Sequence, residues 1–449
     1  MKKRILLLLL VSLNFVSMCF SQTIWNVDEC MRYASEHNNK VVSQSTRLKD
    51  AKIDRMAALG RFLPKIYGDA NVRYSFGRSV NPETNTYKDI STFNNNYSIS
   101  GSLPLFRGGA LINELKLAKA NLLLNKASLQ EEKDMAALET FKAFIEVLYY
   151  EGTTRMAQEK IQESDSLLYK VKRMYELGLK GEADVIEVAA QYSEDDYNVT
   201  AQNNLLEMSK IKLKQSMNYP LLDSLNVDDN LLQSFDIDDV LLEDTIISET
   251  DLLSNPLMVQ ADAVMACAKY QYASSWGGVM PAIDFNAGMY SSYFKELHKR
   301  YPSFGTQLGN NLGYYVGINI QIPFFSGFDR IKDIKKAKNN YKQAQEDYKY
   351  KLSELQKLVA EAVFDRRASL KESLLARERV RKDETTYRIS QRKYEEGLVT
   401  SLELRAAASA LMKSKAELLQ KQLNFLLQCR LVEYYKGEPL IHSSIKTLE

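Results

Sequence analysis

The residues able to do covalent or metal chemistry are few and scattered. The cysteines are Cys19, Cys30, Cys267 and Cys429, with no CxxC pair, and the histidines His37, His298 and His442 stand far apart. That spacing offers neither a zinc site nor a redox couple. No G-x-x-x-x-G-K-[ST] loop is present to cradle phosphates, no H-E-x-x-H helix to hold a metal, and no G-x-S-x-G elbow to expose a serine nucleophile. Acidic pairs such as Glu131-Glu132 fall in charge-rich, helix-forming stretches and read as solvated faces. The chain is therefore read as no enzyme, with no cofactor and no metal. Two glycines stand out instead. Each lies between long helix-forming stretches and has an acidic residue six positions on: Gly178 with Asp184, and Gly397 with Glu403. Glycine accepts the left-handed backbone that a helix-to-helix turn requires.

These two positions are one position written twice. Pro104 in Leu103-Pro-Leu-Phe-Arg-Gly matches Pro323 in Ile322-Pro-Phe-Phe-Ser-Gly at an offset of 219, and Gly108 with Gly327, Tyr175 with Tyr394, Gly178 with Gly397 and Pro220 with Pro439 keep that offset. Upstream, Asn38 with Asn255 and Pro64 with Pro281 keep an offset of 217. A shared offset over so long a span marks a tandem duplication.

Within each half, a helix comes first, then two short alternating segments, then a long helical stretch broken at the glycine. Leu111, Leu115, Ala118 and Leu122 are spaced as on one helix face, and Gly and Pro are absent from 111 to 150. Sustained stripes of this kind predict coiled-coil packing. A helix from Leu111 to Leu177 would extend ~100 Å, too long for a compact domain to bury. The alternating segments place Ala70, Val72, Tyr74 and Phe76 against Asp69, Asn71, Arg73 and Ser75, and Tyr314, Val316, Ile318, Ile320 and Ile322 against Tyr315, Gly317, Asn319 and Gln321. Their length suits tilted membrane strands, and a soluble half-buried sheet alternates in the same way. Four strands cannot close alone, so a membrane reading requires several copies of the chain to share one barrel.

Lys2, Lys3 and Arg4 precede an apolar stretch with small residues at Cys19 and Ser21, the pattern of a secretory signal cleaved before Gln22; acylation at Cys19 is the alternative. Beyond it no apolar run reaches the ~18 residues of a membrane helix. The 59 basic and 57 acidic residues nearly cancel, which gives no electrostatic case for nucleic acid. Cys30 and Cys429 sit near the two ends of the mature chain; a bridge between them and buried free thiols are both open readings. The chain thus divides into a signal at 1–21, a first repeat at 22–220, an acidic linker at 221–250, a second repeat at 251–440 and a tail at 441–449. The first repeat holds strands at about 66–76 and 96–103 and a helical hairpin at about 107–218; the second holds strands at about 281–290 and 313–323 and a hairpin at about 327–436. The segments between paired strands are expected to be outward loops.

The duplicated order, the P-L-F-x-G and P-F-F-x-G turns leading into long helices, and the Y-x-x-G-L tips resemble the TolC family of outer-membrane export channels. The resemblance covers nearly all of the mature chain. It implies a mainly α protein with a membrane β-barrel: four strands per protomer, a homotrimer with a twelve-stranded barrel in outer-membrane lipid, a periplasmic α-helical tunnel, and an equatorial region at the acidic linker. It implies as partners a periplasmic adaptor (a membrane fusion protein) and an inner-membrane pump of the RND or ABC type. Carried over by position, the adaptor-docking tips are Gly178, Leu179 and Lys180 with Gly397, Leu398, Val399 and Thr400, and the periplasmic gate or constriction is formed by Asp184, Tyr394 and Glu403. Two departures alter the gate. Val399 stands at the family's gate arginine and Ala406 at its second acidic ring position, which points to nearby Arg405 for a rewired link. Glu403 carboxylates gathered around an axis would form a cation-favouring ring.

Overall fold

A computed structural model describes residues 24–80, 84–89, 91–228, 249–297, 299–437 and 440. The signal segment with Cys19, most of the acidic linker, His298, Pro439 and the tail lie outside the described residues. The chain order is β1 (Ile24–Trp25), α1 (Val27–His37), α2 (Asn39–Gly60), β2 (Lys65–Ser75), β3 (Arg78–Val80), β4 (Tyr87–Asp89), β5 (Thr92–Arg107), α3 (Ala110–Glu176), α4 (Glu182–Met217), β6 (Asn226–Val227), α5 (Glu249–Ser254), α6 (Pro256–Ser275), β7 (Ala282–Glu296), α7 (Phe304–Asn310), β8 (Gly313–Gln321), α8 (Asp329–Glu395) and α9 (Ser401–Tyr435). The duplication is visible in the elements themselves. Helices α3 and α8 are each 67 residues long, and each is followed by a turn and a returning helix, of 36 and 35 residues.

The chain forms two compact units. Among the described residues, the first draws on 24–45, 128–228, 249–256, 352–437 and 440. Its main core joins Cys30, Met31 and Ala34 of α1, Ala137, Phe141 and Phe144 of α3, Leu213 and Met217 of α4, and Leu423, Leu426 and Tyr434 of α9. On α3 the buried Ala137, Phe141, Phe144 and Leu148 fall at the four-three-four spacing that keeps one helix face turned inward. Leu419 of α9 packs onto Gly152 of α3, where an added Cβ would fall 2.3 Å from a Leu419 methyl carbon. At the start of α1, Asn26 accepts from the Glu29 N–H at 2.8 Å while Glu29 accepts from the Asn26 N–H at 3.0 Å, so two otherwise orphaned donors are satisfied. Strand β1 then pairs in parallel with β6.

Asn38 and Asn255, equivalent in the two repeats, do the same work. The Asn38 amide donates to the Ser216 carbonyl at the end of α4 (2.9 Å), and the Asn255 amide donates to the Tyr434 carbonyl at the end of α9 (3.3 Å). Each ties the entry of its repeat to that repeat's exit and satisfies a helix-end acceptor that has no partner inside its own helix. Cys30, Cys267 and Cys429 are all free thiols, so no Cys30–Cys429 bridge forms. Burial raises the Cys30 thiol to about 12, which keeps it protonated and inert.

The second unit draws on residues 46–127 and 257–351 and contains one antiparallel sheet in the order β2-β5-β7-β8. Its register sorts the side chains, because residues directly opposite share a face. One face carries the rows Ile66–Gly101–Ala287–Val316, Gly68–Ile99–Met289–Tyr314 and Leu103–Phe285–Ile318. The other carries Lys65–Ser102–Asn286–Gly317, Asp69–Ser98–Tyr290–Gly313 and Asn71–Asn96–Ser292. Arg107 and Asp284 form an ion pair at 2.7 Å on this polar face. The apolar face is open: Val316 is 74% and Ile66 71% exposed. Strands β2 and β8 are the two edges.

The strands run further than their alternating stretches. Beyond Tyr290, where β8 stops pairing, β7 continues to Glu296 and α7 takes the place of the missing neighbour. Gln307 accepts from the Phe294 N–H and donates to the Phe294 carbonyl, both at 3.0 Å, and Asn311 donates to the Ser292 carbonyl at 2.8 Å. One helix thereby presents side-chain amides as a substitute strand. Where the sheet hands over to the long helices, Gly109 takes φ +76° in the first repeat, and its equivalent Phe328 takes φ +69° in the second. A bulky residue in that region is strained by ~1–3 kcal/mol.

Candidate functional site

The hairpin tips are built alike in both repeats. After α3, the Leu179 N–H donates to the Met174 carbonyl (2.8 Å) and Gly178 N–H to Tyr175 (2.9 Å); after α8, Leu398 N–H donates to Lys393 (2.8 Å) and Gly397 N–H to Tyr394 (3.0 Å). This is the bonding of a Schellman turn, and it requires the left-handed backbone that Gly178 (φ +73°) and Gly397 (φ +75°) supply. Two leucines of the turns point outward, Leu179 71% and Leu398 68% exposed. Val399 is half-buried, Lys180 partly covered and Thr400 exposed.

The acidic residue six positions after each glycine is the third residue of the returning helix. Asp184 accepts from the Gly181 N–H at 3.0 Å, and the Thr400 hydroxyl accepts from the Glu403 N–H at 3.3 Å. Asp184 thus has a capping duty beside any gating one, which fits the preference for negative charge at a helix N-terminus. Its carboxylate also pairs with Lys180 at 3.9 Å, and the Lys180 ammonium lies 5.2 Å from the centre of the Tyr394 ring. Asp184, Lys180 and Tyr394 are therefore brought together, with Lys180 as the bridge. The Tyr394 hydroxyl is buried and has no hydrogen-bond partner among the described residues. Burial, then the carboxylates of Asp184 and Glu187, hold its pKa above the ordinary value. Glu403 stands apart, exposed, with no side-chain bond to another described residue.

Above the tips a cleft of about 1480 Å³ separates the first hairpin from the second. Polar links cross it. Arg405 pairs with Glu194, Lys170 with Glu395 at 3.2 Å, the Ser401 hydroxyl donates to Glu187 at 2.5 Å, and the Tyr387 hydroxyl donates to Glu163 at 3.1 Å. Burial and the Glu163 carboxylate push Tyr387 up to about 12, so it remains a donor at any physiological pH. Glu163, Glu187 and Glu194 escape a reading of motifs. Their signal is that the repeats differ there: the positions equivalent to Glu163 and Glu194 are Lys382 and Lys413. At Glu163, Glu187 and Glu194 the first hairpin supplies the acceptors and the second the donors, whereas Lys170 and Glu395 pair with the opposite polarity.

The outer membrane efflux protein (OEP) family model matches residues 31–218 and 248–428. Over 442 residues the chain is 24% identical to the outer membrane protein TolC of Escherichia coli strain K12, covering 95% of this chain and 85% of that protein. Its fold is similar to that of the outer membrane protein VceC of Vibrio cholerae (TM-score 0.75, 16% identity, 92% of this chain and 96% of that one). It is also similar to the open state of the MtrE outer membrane channel of Neisseria gonorrhoeae (TM-score 0.73, 16% identity, 92% and 89%). No helix among the described residues is long and apolar enough to cross a membrane. Because the family match runs through both repeats and takes in the strands as well as the hairpins, the chain belongs to the outer membrane efflux protein family and serves as an export channel of the outer membrane.

Proposed function

We propose that three copies of the chain close their four-stranded sheets into one twelve-stranded barrel, with the apolar face against outer-membrane lipid and the polar face around a wet passage. The observation that carries this reading is the sheet itself: an exposed apolar face on a structure with two unpaired edges, β2 and β8. Unpaired backbone groups are too costly to leave in lipid, and joining edge to edge removes them. The helical hairpins continue the passage on the periplasmic side. A periplasmic adaptor docks on the tips at Gly178, Leu179, Lys180, Gly397, Leu398, Val399 and Thr400, where exposed leucines give it an apolar patch. An inner-membrane pump of the RND or ABC type supplies the work, and this chain is a passive conduit for what the pump delivers.

The gate lies where the two hairpins meet. Asp184, Lys180 and Tyr394 join them at the tips, and Arg405–Glu194 replaces the link that Val399 cannot make. Glu403, exposed and without a partner side chain, forms a carboxylate ring in the trimer. Adaptor binding opens the gate by favouring the separated hairpins, since only differential affinity shifts such an equilibrium.

Single-channel recording of the purified full-length protein in planar bilayers tests the reading, with wild type beside Glu403→Ala. Trimeric pores whose cation preference falls in the variant are expected. Pores indifferent to Glu403 would remove the ring and keep the conduit, whereas a protein that never inserts would end the channel reading.

A further inference from the structure

Two glycines in the sheet lack the usual reason for being glycine. Neither Gly288 of β7 nor Gly313 of β8 takes a left-handed backbone conformation. What each lacks is room. A Cβ on Gly313 would sit 2.6 Å from Cζ and 2.8 Å from the hydroxyl of Tyr290; a Cβ on Gly288 would sit 2.7 Å from the ring and the hydroxyl of Tyr315, and 2.8 Å from the Ile99 carbonyl oxygen. The register explains the pairing: Tyr290 is directly opposite Gly313, and Gly288 directly opposite Tyr315. Each ring lies down across the facing strand, over a glycine, and the two reach in opposite directions. Both are on the polar face, beside Ser98 and Ser100, and are 52% and 43% exposed, as rings with one side covered.

We infer that Gly288 and Gly313 set the bore of the passage at this level, by giving Tyr315 and Tyr290 a place to lie flat against the wall. This rests on the polar face lining the passage. A tyrosine is long enough to reach well into a pore when it stands upright, and a side chain on the facing residue would lift it. The flattened rings offer whatever passes a smooth aromatic surface, and the small Ser98, Ser100 and Ser102 of β5 keep the neighbouring strand low, with Lys65, Tyr67 and Asp69 of β2 beyond it. The size limit on cargo at the outer end is thus written in two glycine–tyrosine pairs.

The test is size-graded labelling of Ser102→Cys, one row below the pairs on the polar face, in the full-length protein reconstituted into lipid vesicles. Membrane-impermeant maleimide–polyethylene glycols of increasing mass are used, with wild type as the blank for the native cysteines. The largest polymer that reacts is expected to fall in Gly313→Val, to rise in Tyr290→Ala, and to return at least to its starting value in the combined Gly313→Val/Tyr290→Ala variant. Gly313 is the primary site because its three nearest contacts all belong to the Tyr290 ring; Gly288→Ala with Tyr315→Ala is the second pair. A cut-off unmoved by either pair, with Ser102→Cys readily labelled, overturns the inference alone. If Leu103→Cys on the apolar face labels instead of Ser102→Cys, the assignment of the two faces is what fails.

Discussion

Arg405 on α9 is ion-paired with Glu194 on α4, so the second hairpin is tied to the first by residues 211 positions apart. Both side chains are partly exposed, and a pair of that kind contributes only ~0.2–1 kcal/mol. It is one of several weak links across the same cleft, which suits the opening proposed for this contact. Arg405→Ala should raise leak conductance by no more than about fivefold, and Arg405→Ala with Tyr387→Phe should exceed either alone. Reversing the pair, Arg405→Glu with Glu194→Arg, should return the leak to the wild-type level. A leak that persists in the reversed pair would show that Arg405 acts through some other partner.

Asn255 is completely buried and bonds to the carbonyls of Tyr434 and Tyr435. Replacing it by alanine removes one donor from each carbonyl, the Tyr434 carbonyl keeping the Gly437 N–H at 3.0 Å, and the cost should be ~1–3 kcal/mol, read as a lower thermal midpoint. Asn38 separates two duties, because it also accepts from the Lys40 N–H at 2.9 Å. Asn38→Asp keeps that cap and loses the bond to Ser216, so it should fall between wild type and Asn38→Ala.

Asp134 is buried on α3, and burial raises its carboxyl from 3.8 to about 6, against the opposing effects of the Gln130 amide and Lys133. The folded pKa lies above the unfolded one, so stability from this group is complete below about pH 4 and is lost as pH rises through about 6. Asp134→Asn should therefore stabilise the protein at pH 7 by ~1–3 kcal/mol, with the gain shrinking to nothing near pH 4. Thermal midpoints at the two pH values decide this; an equal gain at both would place the effect outside the titration.

Gln307 stands in for a strand beside Phe294. Gln307→Ala should speed hydrogen exchange at the Phe294 amide by about fivefold or more, since it removes a partner worth ~1 kcal/mol and opens an edge. Amides of β7 paired with β8, such as that of Met289, should not change.

The helical hairpins are legible in the sequence because their apolar period and glycine turns are local signals that the duplication repeats. The strand ends are not. The alternation fails around Asn94, Asn95 and Asn96 and at Ser291-Ser292, which are polar on both faces, although backbone pairing carries on through them. Helix α7, with Gly305 and Gly309, reads as a loop for want of helix formers, and it is held by side chains bonded to β7 rather than by its own propensity. At the tips, Gly178 and Gly397 announce themselves, whereas the partners of Arg405, Tyr387 and Ser401 lie in another hairpin and leave no mark nearby. Lys180 is legible as part of a turn, but its place between Asp184 and Tyr394 depends on a contact that only folding creates.

The fusion of two repeats into one chain bears on how the proposed gate could evolve. A ring of six identical half-length chains would have a single kind of seam, and any mutation easing one seam would ease all six. In the proposed trimer, joining the halves would make alternate seams different, one within a chain and one between chains. The acidic side chains at Glu187 and Glu194, against Ser401 and Arg405, belong to the seam within the chain. In the trimer proposed above, that seam could be tuned to part while its neighbours stay shut, so duplication would give the proposed gate built-in lines of opening.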